Sequence, residues 1–157
     1  MTILWVTVSF NFYLLNFYIS NMEGDINLNS LFNGIAMIIA FTMSAPIINK
    51  IGYSRSFLFF FTLSIISSLL YVFLKNKSQL LVCMLVFTSR LGICPCYSLT
   101  FITSNQLFPA QIKSSLFAFC NIVARFITMS APIVAGFQDP IPFEVFGIMA
   151  MICCWAT

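Results

Sequence analysis

Two arginines sit deep inside apolar runs of this chain, and packing alone does not readily explain them. Arg90 lies about ten residues into the run 79–103 and Arg125 about a dozen residues into the run 113–135. Neither can easily snorkel to an interface from there, and even a lenient insertion scale charges about 2.5 to 3.5 kcal/mol for a central arginine. Such a cost implies a partner or a water-filled cavity. The plainer alternative is a structural arginine bonded to carbonyls at a helix kink. Helical spacing places Cys83, Phe87, Arg90, Cys94 and Tyr97 on one face, with Pro95 kinking the helix just beyond. Asn121, Arg125 and Thr128 make a second polar face, with Pro132 after it. In the first run Ser9, Tyr13, Asn16 and Ser20 form a polar stripe that must face protein or water.

The other reactive side chains exclude more than they offer. Histidine is absent, and the four carboxylates lie in links or at helix ends, so no acid–base pair is apparent and an enzyme is not expected. Cys83, Cys94, Cys96, Cys120, Cys153 and Cys154 all fall inside apolar runs. Cys94 and Cys96 are about 200° apart around a helix axis, which fits packing rather than metal or redox chemistry. Neither a metal nor a cofactor is expected. The basic residues are scattered singly, so nucleic acid is not expected as a partner.

These residues must be positioned by membrane helices. The chain is 61% hydrophobic and 7% charged, with a mean hydropathy of +1.01, far too apolar for a water-soluble domain. Backbone groups in lipid find no water, and no alternating barrel-type strands are visible, so the expected class is an all-α, multi-pass membrane protein. Its 157 residues leave about 26 for each of six spans with its link. The expected spans are about 3–20, 30–48, 56–74, 79–103, 113–135 and 141–157, forming one domain over 1–157. The first span lacks a basic leader and contains Asn11 and Asn16, so it reads as a retained helix rather than a signal peptide. Gly52 allows a tight turn after the second span. The third span looks nearly featureless and is expected to face lipid, with close helix packing there improbable. An oligomer seam along Gly34, Ala36 and Ala40 is open in the second. Lys50, Arg55 and Lys113 lie on one side and Lys75 and Lys77 on the other, beside Glu23, Asp25 and Asp139. That asymmetry puts both termini in the cytoplasm.

The segments SNQLFPAQIKSS and NIVARFITMSAP, with the weaker RLGI, NKIGYSR, GDINLN and DPIPFEVFG, occur in a telling order. In that order the chain resembles the C-terminal six-helix half of the major facilitator superfamily, most of all its organic cation and organic anion transporter branch. The resemblance implies half of a major-facilitator-type bundle that moves a small organic ion by alternating access. Phe12 and Tyr13 fall where that branch has an aromatic pair lining its cavity, and Arg90 matches its tenth-helix basic residue. Arg125 matches an eleventh-helix position where anion transporters resemble this chain in carrying Arg and cation transporters typically carry Asp. A guanidinium fork suits carboxylate or sulfate and repels cations, so an anionic substrate is implied. Phe41 stands where some anion members have Lys.

The implied cytoplasmic gate would involve Asn49, Lys50, Gly52, Arg55, Gln106, Phe108, Pro109 and Lys113. Here Asn49 and Gln106 replace carboxylates, Tyr53 and Lys113 replace arginines, and Leu116 replaces a glycine, so gating is expected to be weakened or absent. The chain ends at Trp155-Ala156-Thr157, without the polar tail expected after a last helix. Half a transporter has no closed pathway, because the site forms between two halves that rock against each other. Three readings are open: a fragment, a half that pairs with itself or with a separate N-terminal half, and a non-transporting membrane interaction protein of transporter ancestry. Lipid is a partner in all three.

Overall fold

The computed structural model describes the backbone of residues 1–21, 26–74, 79–138 and 140–156. Glu23, Asp25, Lys75, Lys77 and Asp139, on which the orientation rests in part, lie outside the described residues, as does the side chain of Ser20. Among the described residues seven helices follow in order: α1 (Thr2–Asn21), α2 (Ile26–Ile51), α3 (Tyr53–Leu74), α4 (Gln79–Leu107), α5 (Lys113–Thr128), α6 (Ala131–Ala135) and α7 (Ile141–Ala156). Five stretches are long and apolar enough to cross a membrane, one of them Lys113–Ala135, which joins α5 and α6. The break between these two falls at Met129 and Ser130, just before Pro132, which has no N–H to continue the ladder. Pro95, by contrast, lies inside α4 without ending it. The last expected span is shorter than the rest: α7 has 16 residues, about 24 Å against a hydrocarbon core of about 30 Å.

α1 is the axis of the bundle, touching α2, α4, α5, α6 and α7, while α4 lies against α1, α2 and α3. That centrality explains why α1 carries so many buried polar groups, among them Thr7, Ser9 and Asn11. The Asn11 amide donates to Phe146 O across the interface with α7 at 3.2 Å. Between α2 and α3 the chain reverses at Gly52, whose φ of +86° lies in the left-handed region. Gly52 O then accepts the Ser56 hydroxyl at 2.7 Å, so the expected tight turn also starts the next helix.

α3 corrects the expectation of a featureless, loosely packed span. One face is lipid-facing, with Leu58, Phe59, Ile66 and Phe73 exposed, but the other buries Ser56, Ser64, Ser67 and Ser68 between Phe57, Phe60, Phe61 and Tyr71. Serine acts here as a small residue: the Ser67 hydroxyl returns to Leu63 O at 2.9 Å, and that of Ser68 donates to Phe143 O of α7 at 2.6 Å. The facing helices supply glycines. A Cβ on Gly92 of α4 would lie 2.9 Å from Phe60 O, and one on Gly147 of α7 would meet the Ser68 hydroxyl. The expected seam in α2 is also reassigned: Ala36 and Ala40 are 0% and 2% exposed, packed inside the chain rather than free for a second copy.

Candidate functional site

The open face of the bundle is built by α1 and the broken α5–α6 span. Four-residue spacing brings Tyr13 and Phe17 to one side of α1, and Ile122, Arg125, Phe126 and Met129 to the opposing side of α5. Between them lies a depression of about 520 Å³. Arg125 is exposed within it, and its Nε donates to Asn121 Oδ1 at 3.1 Å, one turn back on the same helix. That bond orients the guanidinium and leaves its two terminal nitrogens without a partner among the described residues. Thr128, expected on the same polar face, turns its hydroxyl to Ala124 O at 2.7 Å.

Arg90 lies behind this face, not in it. It is 0% exposed. One terminal nitrogen donates to Phe12 O at 2.9 Å, the other to Asn16 Oδ1, and the latter also approaches Met37 Sδ at 3.7 Å. The guanidinium carbon sits 4.7 Å from the Phe12 ring centroid, a cation–π contact. Asn33 of α2 extends the cluster through its amide to Asn16 Oδ1 at 3.5 Å. Arg90 therefore ties α4 to α1 and α2 through neutral acceptors, with no carboxylate partner among the described residues, and Nε is left unpaired. Hydrogen bonds to a charged group contribute about 1.5 to 3 kcal/mol each, so this clasp is a large term. Lysine offers one point charge instead of a fork and cannot hold Phe12 O and Asn16 while covering the ring. Arg90→Lys is expected to lower unfolding stability in mixed micelles by about 1 to 3 kcal/mol; an unchanged midpoint would remove the clasp from the account.

Of the four residues expected in one cavity, Tyr13 and Arg125 share the depression, Phe12 stands between, and Arg90 is sealed behind Phe12. The Phe12 ring meets Tyr13 edge-on at 5.7 Å and stacks on Tyr97 at 4.9 Å. Through the Phe12 ring, which touches both tyrosines, Tyr97 adjoins this face. Spacing on α4 grouped Tyr97 with Arg90 but gave no sign that it reaches α1. Phe17 was legible as the residue one turn beyond Tyr13. Phe41 is half-buried against the core.

The residues of the implied gate lie at the ends of α2 and α4, at the starts of α3 and α5, and in the links between them. Asn49, Lys50 and Arg55 are exposed around the Gly52 turn. Gln106 Nε2 donates to Tyr53 Oη at 2.9 Å, so two residues standing for charged ones are joined by a neutral bond between α4 and α3. Phe108 packs near Trp5, Cys120 and Ala124, Pro109 is exposed in the link, and Lys113 opens α5 half-buried. Cys94, Cys96, Cys120 and Cys153 are buried packing residues.

No family model matches the chain. Over 151 residues it is 23% identical to an organic cation transporter-like protein of Drosophila melanogaster, covering 94% of this chain and 27% of that protein. The chain thus spans little more than a quarter of the curated relative's length. The apolar helices and this likeness together describe a multi-pass, transporter-like membrane protein.

Proposed function

We propose that the chain is the C-terminal six-helix half of a major-facilitator-type transporter that moves small organic anions by alternating access, with both termini cytoplasmic. The observation that carries this reading is Arg125, exposed on an open face 12 residues after Lys113 in a span of 23. At 1.5 Å per residue that is about 18 Å deep, near the middle of a core of about 30 Å. A guanidinium there cannot face lipid tails without the insertion penalty, so this face meets water or another protein. With no carboxylate lining the depression among the described residues, its field favours anions and repels cations. Arg125 is the substrate counter-charge, Tyr13 and Phe12 offer ring faces, and Arg90 supports the wall from behind. The name of the Drosophila relative includes organic cations; Arg125 is the residue that argues for the opposite sign here.

The relative's greater length leaves room for an N-terminal half, on this chain or on another. Self-pairing through this face would bring two Arg125 guanidiniums into one interface, so a separate N-terminal half is the preferred partner. The rival reading, a fragment or a non-transporting interaction protein, draws on the sealed Arg90 and the neutral Gln106–Tyr53 bond, which leave less charge to drive a gate.

The test is uptake of a labelled aromatic carboxylate into vesicles holding this chain alone, against vesicles that also hold a matching N-terminal six-helix half. Uptake only in the paired vesicles is the expected result. Absence of uptake in both would favour the rival.

A further inference from the structure

A second depression opens at the Lys113 end of the bundle, between the last turns of α4 and the first of α5. It encloses about 360 Å³ and is lined by Asn105, Lys113, Ser114 and Phe117. The side chains of Lys113, Ser114 and Asn105 make no hydrogen bond and no ion pair among the described residues. A cation and two neutral polar groups thus border a space of pocket size with their bonding capacity unused.

This depression is joined to the first by rings. From Phe12, beside Tyr13, the contacts run to Tyr97 at 4.9 Å, on to Phe101 at 5.1 Å and then to Phe117 at 5.6 Å. Phe12, Tyr97, Phe101 and Phe117 are all only partly buried, so each ring keeps part of its surface uncovered. Trp5 backs the far end, 4.6 Å from Phe101 and 5.0 Å from Phe117. These rings pack on the edges of the two core clusters and form a strip that runs from the Arg125 depression to the Lys113 depression.

We infer that the Lys113 depression is a second, peripheral binding site for planar aromatic anions, at the end of the ring strip that leads from the Arg125 depression. The anionic group takes Lys113 with Ser114 and Asn105, and the ring of the ligand lies against Phe117. Offset or edge contacts with successive rings are sequence-tolerant and of similar strength, so a flat ligand meets no deep trap between the two cations. Its place on a transport path rests on the proposed function; its ability to bind does not.

Trp5 provides the readout, since the chain has only two tryptophans and the other, Trp155, is 93% exposed. In bilayer nanodiscs holding the full chain with Trp155→Phe, 4-nitrobenzoate, whose nitro group quenches indole emission, should quench Trp5 saturably. Lys113→Gln should raise the half-saturating concentration about tenfold, the loss of one charge-assisted bond. Lys113→Arg should restore it, and Arg125→Ala should leave it within about twofold. Neutral nitrobenzene should give only linear quenching by partition. Quenching that survives Lys113→Gln, or that Arg125→Ala abolishes, would overturn the second site. Saturable quenching lost only on Lys113→Gln, in a protein that never supports uptake, would uphold the site while the transport reading fails.

Discussion

Arg125→Ala in the paired assembly is expected to abolish uptake of organic anions, with a loss of about a hundredfold or more, while the amount of protein in the membrane stays equal or rises. The substitution removes the two free terminal nitrogens of a guanidinium that Asn121 holds in place. A bidentate pair with a carboxylate loses two charge-assisted bonds, and about 3 kcal/mol corresponds to a factor above one hundred. Insertion moves the other way, because a central arginine costs about 2.5 to 3.5 kcal/mol to place in lipid and alanine does not. Arg125→Lys keeps the charge but loses the fork, so partial uptake with weakened apparent affinity is expected. Measuring initial uptake rates beside membrane-fraction protein separates the two effects. Wild-type uptake by the alanine variant would end the assignment of Arg125 as the counter-charge.

Gly92→Val is expected to have the largest effect on folding. A Cβ at this position would fall 2.9 Å from Phe60 O and 3.0 Å from Ser64 N, both backbone atoms of α3. Backbone cannot rotate away as a side chain can, so α3 and α4 must separate along their contact. That contact also aligns α4, which carries Arg90 and Tyr97, so displacement would loosen the clasp to Phe12 and Asn16. Overpacking a tight interior costs about 1 to 3 kcal/mol and sometimes more; here it is combined with loss of close helix packing, the main attraction between helices in lipid. The expected outcome is little recoverable monodisperse protein in detergent. Gly34→Val is the control, since a Cβ there would meet nothing within 4 Å. Equal recovery of the two variants would show that the α3–α4 approach is not tight.

Hydropathy and length made the membrane class and most helix positions legible, because the bilayer imposes one backbone solution on any long apolar run. The run 56–74 appeared as α3 (Tyr53–Leu74) and the run 113–135 as a span interrupted before Pro132. The same uniformity hid which face packs. In water a buried face is marked by apolar residues, but in lipid both faces are apolar, and the packing signal moves to small residues. Ser64, Ser67 and Ser68 carried that signal in a span that reads as nearly featureless.

The two arginines show the same division. That each requires a partner or water follows from its type and depth, whatever the tertiary structure, since the desolvation of a guanidinium is a property of the residue and the solvent. Which of these each arginine receives depends on the neighbours three-dimensional packing supplies. α1 brings Phe12 O and Asn16 within reach of Arg90 and closes over it, while α5 packs on the same helix with Arg125 turned outward into the open depression beside Tyr13. Sequence thus determined a helical membrane protein with two buried-depth cations; helix packing decided that one is a clasp and the other faces a cavity, because only the distances between helices set whether a charge meets a carbonyl or empty space.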